Sequence, residues 1–379
     1  MTQFQPSPTN PPSPRAGRIA IFVPTMGGGG AEKVVLHLCG GLLQSGRAVD
    51  LLLKEKSGAL LARLPAGVNV IDFQASSMSR CLPGLVRYLR QTGPEALVAT
   101  MELPNLLSIL AGQLAGGRTP VITTTHDTLS HTIRTNTGSA TLDHILVWLL
   151  YRFAHRVVCV SRGVADDLAT YAGLPRRRID VIYNPVITPE LKALAAQPFD
   201  HPWFAPGQPP VVLGVGRLVA QKDFATLLRA FALLRARTPA RLVLLGEGEQ
   251  RAELEALAER QGIRQDVWFA GFQANPFQVM SRAAVMVMSS LHEGFGMVLV
   301  EAMACGCPLV STNCPHGPEE LLDGGRYGHL VPLRDPAAMA EAVLAVLNGD
   351  PRRPPADWLR QFEVDSVTRQ YLELIEGGA

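Results

Sequence analysis

The sequence predicts an α/β protein built from two doubly wound domains, each a parallel sheet with helices on both faces. The chain has 379 residues, a length that favours two domains of roughly 150 to 200 residues each. Hydrophobic residues make up 47% of the chain and charged residues 18%, which is typical of a protein with a large buried core. Short β-branched runs alternate with longer amphipathic stretches, and this alternation indicates parallel sheets covered by helices.

Short apolar runs predict the strands, and they fall into two blocks. The first block contains Ile19–Val23, Val49–Leu53, Val68–Phe73, Ala96–Ala99, Val121–Thr124 and Val157–Val160. The second block contains Val211–Val215, Leu242–Leu245, Val267–Ala270, Val285–Met288 and Leu309–Thr312. Between Asn184 and Pro210 lie seven prolines with little periodicity, which predicts a linker. Two such blocks predict two domains that face each other across a cleft.

The domain boundaries follow from these blocks. Residues 1–16 are rich in Pro, Ser, Thr, Gln and Asn, which predicts a disordered tail. Residues 17–190 form the first domain, 191–210 the linker and 211–360 the second domain. Residues 361–379 are expected to form a C-terminal helix, for which packing back on the first domain is one option.

Charge and cysteine content exclude several functional classes. The formal net charge is +2, and the only basic run is Arg176–Arg178. A nucleic-acid binder more often has clustered basic runs with interleaved aromatic residues, so no nucleic-acid partner is predicted. The six cysteines include no Cys-x-x-Cys pair, which disfavours a zinc site or a disulfide framework and indicates small core residues.

The termini and apolar runs predict a cytoplasmic protein. The N-terminal residues lack the apolar segment of a signal peptide. The longest uninterrupted apolar stretch, Ile145–Tyr151, is far shorter than the ~18 to 20 residues that span a bilayer. No membrane-spanning segment is therefore predicted.

A glycine-rich turn follows the first predicted strand. Gly27, Gly28, Gly29 and Gly30 come just before a predicted helix. At the carboxyl end of a strand and the amino end of a helix, bare amides suit a phosphate or a sugar hydroxyl. The turn matches neither Gly-x-Gly-x-x-Gly nor the Walker pattern. This disfavours an NAD-binding site and a P-loop site for ATP. A glycine turn without a ligand is the alternative.

The second block opens with a strand followed by two cations. Gly216 and Arg217 follow Val211–Val215, and Lys222 and Asp223 open the next predicted helix. Arginine supplies a forked set of donors and lysine a point charge, a combination suited to a diphosphate. The alternative is that both cations are simply solvated.

The segment Glu293-Gly-Phe-Gly-Met-Val-Leu-Val-Glu301 follows the predicted strand Val285–Met288. If a helix begins near Gly296, its first amides lie between two carboxylates, with Glu301 roughly 7.5 Å along the axis. Such an arrangement holds a diphosphate centrally while each carboxylate accepts hydroxyl donors from a sugar. A nucleotide sugar has this layout. The alternative is a glycine-entered helix with two incidental glutamates.

These segments resemble a known enzyme family. Gly-Arg-Leu-x-x-Gln-Lys-Asp-Phe at Gly216–Phe224, the Glu-x7-Glu segment and Ala302-Met-Ala-Cys-Gly-Cys-Pro308 look like the family-4 retaining glycosyltransferases, the glycosyl transferases group 1. The resemblance covers nearly the whole chain after the tail. It implies the GT-B architecture of two facing Rossmann-like domains, with the donor nucleotide held mainly by the second and the acceptor mainly by the first.

The resemblance also implies roles for individual residues. Arg217 and Lys222 would bind the donor diphosphate, Glu293 the hydroxyls of the transferred sugar, and Glu301 the ribose. From the first domain, Gly28 and Gly29 would approach the phosphate and the sugar. The base pocket is expected near Phe272, a weaker assignment. The other expected donor-binding residues are Gly294, Phe295, Gly296, Met297 and Val298.

One histidine is a further candidate for the catalytic set of His126, Glu293, Arg217 and Lys222. His126 follows the strand-like Thr123–Thr125, which places an imidazole at the carboxyl end of a strand. The family has a similar histidine near its donor sugar. His131 is a rival of lower rank, and capping or turn roles explain Ser161 and Asn184 without a ligand.

The mechanism expected from this resemblance is retention of configuration. No carboxylate nucleophile beside the anomeric carbon is evident, because Glu293 is expected to bind hydroxyls. The acceptor would attack the face that the diphosphate leaves, through a short-lived oxocarbenium-like state. Fixed cations and helix amides can stabilise the leaving group, and the sequence has no Asp-x-Asp motif, so no metal or cofactor is predicted.

The expected reaction moves a sugar from a nucleotide-diphosphate sugar to a saccharide or lipid-linked saccharide in glycan, polysaccharide or glycolipid biosynthesis. A UDP-linked hexose or N-acetylhexosamine is favoured, UDP by family frequency alone. The alternatives are a GT-B sugar-nucleotide epimerase or phosphorylase, and a non-catalytic nucleotide-sugar-binding subunit.

A basic amphipathic stretch raises the question of membrane contact. Arg80, Arg87 and Arg90 occur among Leu82, Leu85, Val86 and Leu89, which suggests a basic amphipathic helix interrupted early by Pro83 and Gly84. Such a helix can touch an anionic membrane surface that carries a lipid-linked acceptor, peripherally at the inner face. The alternative is a helix packed on the first sheet with its basic face in water.

Overall fold

The computed structural model describes residues 17–128 and 140–377, without the side chains of 140–144. The predicted tail, residues 1–16, and the rival histidine His131 lie outside the described residues.

The first sheet has seven strands in the order β3-β2-β1-β4-β5-β6-β7. They are β1 Arg18–Val23, β2 Ala48–Leu53, β3 Val68–Asp72, β4 Ala96–Thr100, β5 Val121–Thr125, β6 Arg156–Cys159 and β7 Ile179–Val181. The pairs β1–β2, β1–β4, β2–β3 and β4–β5 are parallel. The six predicted strands are confirmed, whereas β7, with three residues, was not predicted.

In the described residues, five α-helices connect these strands or follow them: α1 Gly30–Gln44, α2 Leu82–Thr92, α3 Glu102–Leu114, α4 Ala140–Leu150 and α5 Arg162–Ala172. The connections β1→β2 and β2→β3 run toward one edge of the sheet, and β3→β4→β5→β6 run toward the other. Since crossovers between parallel strands are right-handed, α1 lies on one face of the sheet and α2, α3 and α4 lie on the opposite face. With helices on both faces, β1 is buried from Ile19 to Val23.

The second sheet has six parallel strands in the order β10-β9-β8-β11-β12-β13. They are β8 Val211–Val215, β9 Arg241–Leu245, β10 Val267–Gly271, β11 Val285–Met288, β12 Leu309–Thr312 and β13 His329–Val331. The five predicted strands are confirmed. The last, β13, was not predicted because three residues show no readable period.

Nine further helices follow: α6 Leu191–Ala196, α7 Phe224–Arg235, α8 Arg251–Arg260, α9 Phe277–Met280, α10 Met297–Ala304, α11 Pro318–Leu321, α12 Pro336–Leu347, α13 Ala356–Leu359 and α14 Val364–Glu376. Helices α7 and α12 pack against each other and supply much of the core that covers one face of the second sheet. The predicted class, two Rossmann-like parallel sheets with helices on their faces, is confirmed.

The chain divides into two compact units. The first unit contains Met1–Thr124, Ile145–Val157 and Thr368–Ala379, and the second contains Thr125–His144 and Val158–Val367. Within the first unit, Arg47 forms an ion pair with Glu376 near the end of α14. The domain boundaries expected from the sequence stay a prediction.

The proline-rich segment expected to be a linker is more structured than its sequence indicates. It contains α6, and the ring of His201 stacks on Trp268 of β10 with centroids 4.0 Å apart. Prolines interrupt the apolar period there, so the pattern does not show contacts that the tertiary structure makes.

Two expectations about composition are tested directly. All six cysteines are free, and only Cys305 is partly exposed. In the described part of the chain, no helix is both long and apolar enough to cross a membrane.

Candidate functional site

The candidate site lies in the second unit, where β8 and β11 end. These strands are neighbours in the second sheet and run parallel. Because the carboxyl ends of parallel neighbours meet at one edge, the loops that follow them come together. The loop after β8 carries Gly216, Arg217 and Lys222, and the loop after β11 carries Ser290 and Glu293.

A buried ion pair joins the two loops. Lys222 Nζ contacts Glu293 Oε1, and the exposed fractions of the two side chains are 18% and 10%. Ser290 Oγ donates a second hydrogen bond, of 2.6 Å, to the same carboxylate oxygen. Glu293 Oε2 receives no hydrogen bond from any residue that the structure describes. One carboxylate oxygen is thus held by the protein, and the other remains an open acceptor.

Backbone contacts hold the loops in register. Gln221 Nε2 donates to the carbonyl oxygen of His292 at 2.9 Å. The backbone amide of Leu291 donates to the carbonyl oxygen of Gln221 at 2.8 Å. Ser289 Oγ donates to the carbonyl oxygen of Lys222 at 2.7 Å. These bonds fix Lys222 and the β11 loop without using the Lys222 ammonium group.

The loop after β12 holds the backbone of Glu293 from the other side. The Glu293 amide donates to Pro315 O at 2.9 Å, and the His316 amide donates to Glu293 O at 2.6 Å. Nearby, burial raises the pKa of the Cys314 thiol to about 12, with a further contribution from the Glu293 carboxylate. Cys314 therefore stays protonated at neutral pH and is not a thiolate nucleophile.

Arg217 is exposed and forms no ion pair with any residue in the described ranges. A Cβ at the preceding Gly216 would lie 3.5 Å from Lys222 Cδ, so the Lys222 stem runs beside the turn that presents Arg217. A Cβ at Gly246 would lie 1.9 Å from Gly216 O, which shows how tightly the β9 loop packs behind this turn. The two cations thus share one turn at the end of β8.

Gly294 lies against two backbone segments. A Cβ at Gly294 would lie 2.0 Å from His126 O and 3.0 Å from Asp127 Cα. Ser161 Oγ donates to Gly294 O at 2.8 Å and accepts from the Val164 amide at 3.2 Å. Ser161 is therefore both the N-cap of α5, as its sequence context indicates, and a direct partner of the site.

His126 directly follows β5, and its carbonyl oxygen lies against Gly294 of the site. Burial lowers the pKa of its imidazole from 6.5 to about 4. The ring is therefore neutral at neutral pH and supplies no positive charge.

Helix α10 begins as the sequence predicts. Gly296 is its N-cap with φ +92°, a left-handed conformation that favours glycine. Glu301 is buried within the helix. Phe295 packs against Tyr183 and Phe362, with ring centroids 5.8 and 6.0 Å away, so its ring belongs to an aromatic core. Only its backbone is left for a ligand.

The structure thus brings together Lys222, Glu293, Gly294 and the backbone of His126. Phe272 lies just after β10 and is 80% exposed, while Gly28 and Gly29 precede α1 in the first unit. The roles expected for these three residues stay predictions. No cluster of three or more His, Cys, Asp or Glu side chains suited to a metal occurs in residues 17–128 or 140–377, so far as side chains are described.

Sequence reasoning missed two partners of the site, Ser290 and Gln221. Ser290 is the second residue after β11 and precedes Glu293 by three residues, which is a readable signal because polar residues at strand ends face the ligand edge. Glu320 was also missed. It accepts from Tyr183 Oη at 2.7 Å and from the Arg162 amide at 2.8 Å, and no spacing in the sequence indicates these contacts.

Replacing Gly294 with alanine tests the close backbone contact. Gly294→Ala forces a methyl group onto His126 O, and overpacking of this kind costs roughly 1 to 3 kcal/mol. The expected result is a lower melting temperature in a thermal unfolding scan. Gly40→Ala is the matched control, because its methyl group would meet only Pro65 Cγ at 3.7 Å. Equal melting temperatures for Gly294→Ala and the wild type would contradict the packing described.

Acidification tests the environment of His126. The pKa of His126 is about 4 in the folded chain and ordinarily 6.5. Between pH 6.5 and pH 4, His126 therefore binds a proton in the unfolded chain but not in the folded chain. The stability contributed by the neutral ring is present above pH 6.5 and is lost as the pH falls toward 4. His126→Gln should therefore lose less melting temperature than the wild type between pH 7 and pH 5. The exposed His155→Gln variant is the control, and it should follow the wild type.

Comparison with known families and structures matches both halves of the chain. The profile described as Glycosyl transferases group 1 matches residues 209–349. The profile described as Glycosyltransferase Family 4 matches residues 28–189. The first match covers the second sheet, and the second match covers the first sheet after β1.

Curated relatives carry glycosyltransferase names. The chain is 26% identical over 345 residues to N-acetylgalactosamine-N,N'-diacetylbacillosaminyl-diphospho-undecaprenol 4-alpha-N-acetylgalactosaminyltransferase of Campylobacter jejuni, covering 89% of this chain and 92% of the relative. It is 32% identical over 231 residues to the lipopolysaccharide core biosynthesis glycosyltransferase LpsE of Rhizobium meliloti, covering 59% of this chain and 65% of the relative.

Solved structures share the fold. The crystal structure of HepE from Anabaena in complex with UDP-glucose superposes with a TM-score of 0.78 at 22% identity, covering 95% of this chain and all of that one. This likeness confirms the GT-B fold class expected from the sequence. Since the two profiles together match most of the chain, in agreement with the resemblance carried by its motifs, the chain belongs to the group 1 and family 4 glycosyltransferases.

Proposed function

We propose that this glycosyltransferase transfers a hexose or N-acetylhexosamine from a UDP-linked donor, with retention of configuration, to a saccharide carried on a lipid. The Anabaena protein whose fold it shares is described in complex with UDP-glucose. The Campylobacter relative is named for an acceptor linked to diphospho-undecaprenol. The Rhizobium relative is named for lipopolysaccharide core biosynthesis. These descriptions support the donor and acceptor classes.

The observation that carries the proposal is the buried contact of Lys222 with Glu293. An ammonium group has three donors, and Glu293 is its one described partner, which leaves donors for the oxygens of a diphosphate. Glu293 Oε2 is an open acceptor for a sugar hydroxyl. In this proposal, a cation that binds phosphate and a carboxylate that binds a sugar hydroxyl are paired side by side.

Arg217 adds the second positive charge. Its guanidinium is exposed and has no described ion-pair partner, and a forked set of donors suits phosphate oxygens. The first amides of α10, at Met297 and Val298, supply donors and the positive end of a helix dipole. In this proposal Gly296, the N-cap of α10, gives the diphosphate access to those amides.

The remaining donor contacts are assigned as the resemblance implies. Glu301 binds the ribose hydroxyls, Phe272 contacts the base with its exposed ring, and Gly28 and Gly29 approach the phosphate and the sugar with their bare amides. The neutral imidazole of His126 exchanges a hydrogen bond with a hydroxyl of the transferred sugar. A neutral ring suits this role because it adds no charge beside the oxocarbenium-like state.

In the proposed mechanism the bond between the anomeric carbon and the diphosphate oxygen breaks, and UDP departs. The acceptor hydroxyl attacks the same face of the sugar, and its proton passes to the departing diphosphate. Glu293 is given no nucleophilic role in this proposal, because Lys222 and Ser290 both hold its Oε1 and its Oε2 is assigned to a sugar hydroxyl. Charge that develops on the departing diphosphate is stabilised by Arg217, Lys222 and the α10 amides. Lys222 and the α10 amides are fixed before the reaction, so they need little reorganisation, and we propose that transfer requires no metal ion.

Substitution at the two loops should separate turnover from nucleotide binding. Glu293→Gln removes the charge but keeps the size, and UDP release from the preferred donor should fall at least about 100-fold, a larger factor than the accompanying change in the Kd for UDP. Arg217→Met should instead weaken UDP binding about tenfold or more, since a charged hydrogen bond is lost. Calorimetry gives the Kd, and coupled detection of UDP gives the rate.

Matched controls exist for both variants. Glu253→Gln lies on the exposed face of α8 and Arg229→Met on the exposed face of α7, and both should behave as the wild type. Wild-type turnover in Glu293→Gln, or unchanged UDP affinity in Arg217→Met, would refute the assigned roles.

The reaction itself is tested by following product formation by NMR. A thermal-shift panel of UDP, GDP, UDP-glucose and UDP-N-acetylglucosamine first identifies the preferred donor. With undecaprenyl-diphosphate-linked saccharides as acceptors, the product should keep the anomeric configuration of the donor, and EDTA should not slow its formation.

Three outcomes would overturn the proposal. Inversion at the anomeric carbon would exclude retention. Loss of activity in EDTA with recovery in Mn²⁺ would exclude metal independence. Interconversion of the free nucleotide sugar without an acceptor would favour the epimerase alternative.

A further inference from the structure

Helix α4 and the turn after it expose a stripe of large apolar side chains. The exposed fractions are 48% for Ile145, 44% for Trp148, 43% for Leu149 and 56% for Phe153. These positions are spaced by three, four and eight residues from Ile145, so they share one side of the helix. Val147 and Tyr151 are fully buried on the other side. The helix is thus apolar both toward the core and toward solvent.

A cation lies within this stripe. The Cζ atom of Arg152 is 3.9 Å from the centroid of the Trp148 ring, which is a cation–π contact. Residues 145–157 contain no Asp or Glu. Tryptophan and arginine side by side, each amphipathic, are typical of segments that lie at the boundary between lipid and water.

The neighbouring helices extend the same face of the first unit. Helices α2, α3 and α4 cover one face of the first sheet, and α3 contacts both α2 and the turn Tyr151–Phe153. Arg90 Nη2 donates to Leu114 O at 2.7 Å, which joins the basic side of α2 to the end of α3. Helix α2 has no acidic residue, and Arg80, Arg87 and Arg90 are exposed.

We infer that one surface of the first unit docks on an anionic lipid bilayer. It consists of the exposed α4 stripe, with Arg152, and of Arg87 and Arg90 on α2. It is hereafter called the α4 face. Single exposed apolar residues are ordinary, but a contiguous set of four is not. The arginines beside it are complementary to anionic headgroups, and an interface with another protein would not require this excess of one charge. The inference rests on the proposed function, because a lipid-linked acceptor brings this enzyme to a membrane.

Flotation with vesicles tests the α4 face. The full chain should float with vesicles of phosphatidylglycerol and phosphatidylcholine at low salt, and not with pure phosphatidylcholine. The double variant Trp148→Ser/Phe153→Ser should bind at least about tenfold less. Leu233→Ser/Leu333→Ser is the matched control, since those side chains are 45% and 40% exposed on the second unit. The control should float as the wild type does.

The charged part of the face is tested separately. Arg87→Gln/Arg152→Gln removes two exposed cations and should reduce binding to anionic vesicles, as should high salt. Trp148→Phe should keep the binding while losing the blue shift of tryptophan emission on vesicle addition, because Trp148 is the tryptophan on this face.

Several outcomes would overturn the inference. The inference would be refuted if the full chain failed to float with anionic vesicles. This holds even if the reason were that a second copy or another segment of the chain covers the α4 face. A wild-type dimer that Trp148→Ser/Phe153→Ser converts to a monomer would assign the face to self-association. Equal flotation of wild type and variant would show that the lipid binds elsewhere.

Solution assays keep this inference distinct from the proposed function. Trp148→Ser/Phe153→Ser should bind UDP and hydrolyse the preferred donor as the wild type does, because the face lies outside the residues assigned to the donor. If the wild type floats with anionic vesicles but binds no nucleotide sugar, the proposed donor is refuted, whereas the proposed membrane contact of the α4 face is supported.

Discussion

The structure of the site depends on one buried ion pair. Lys222 and Glu293 are largely withdrawn from water, and desolvation of two charges is costly unless they pair and form further hydrogen bonds. Ser290 supplies one such bond. Removing either charge would leave the other buried and uncompensated. The pair therefore holds the loops after β8 and β11 together, and it fixes the Lys222 ammonium before any ligand arrives.

Backbone packing completes this arrangement. Gly294, next to Glu293, has room for no side chain beside His126, and Ser161 holds its carbonyl oxygen. The open Glu293 Oε2 and the Lys222 ammonium group are thus carried by loops that are themselves hydrogen-bonded. Such preorganised polar groups stabilise a developing charge more effectively than mobile water, because they need not reorient during the reaction.

The candidate site and the α4 face differ in which kind of group they bury and which they expose. The site in the second unit buries charge and satisfies it with hydrogen bonds, whereas the α4 face in the first unit exposes apolar side chains to solvent. Each arrangement is unfavourable by itself for a protein in water. Each becomes favourable with its proposed ligand, a diphosphate in one case and a lipid surface in the other.

The sequence by itself determined the fold class and eleven of the thirteen strands that the structure describes, and it predicted the roles of the candidate site residues. Long buried strands of a parallel sheet appear as β-branched runs, and glycines mark the entry to α10. Only the tertiary structure decided which residues meet. Lys222 and Glu293 are 71 residues apart and pair because β8 and β11 are adjacent in the sheet. The strands β7 and β13 are too short for a period, and the contacts of Ser161, Glu320 and the stripe on α4 depend on burial, which local sequence does not encode.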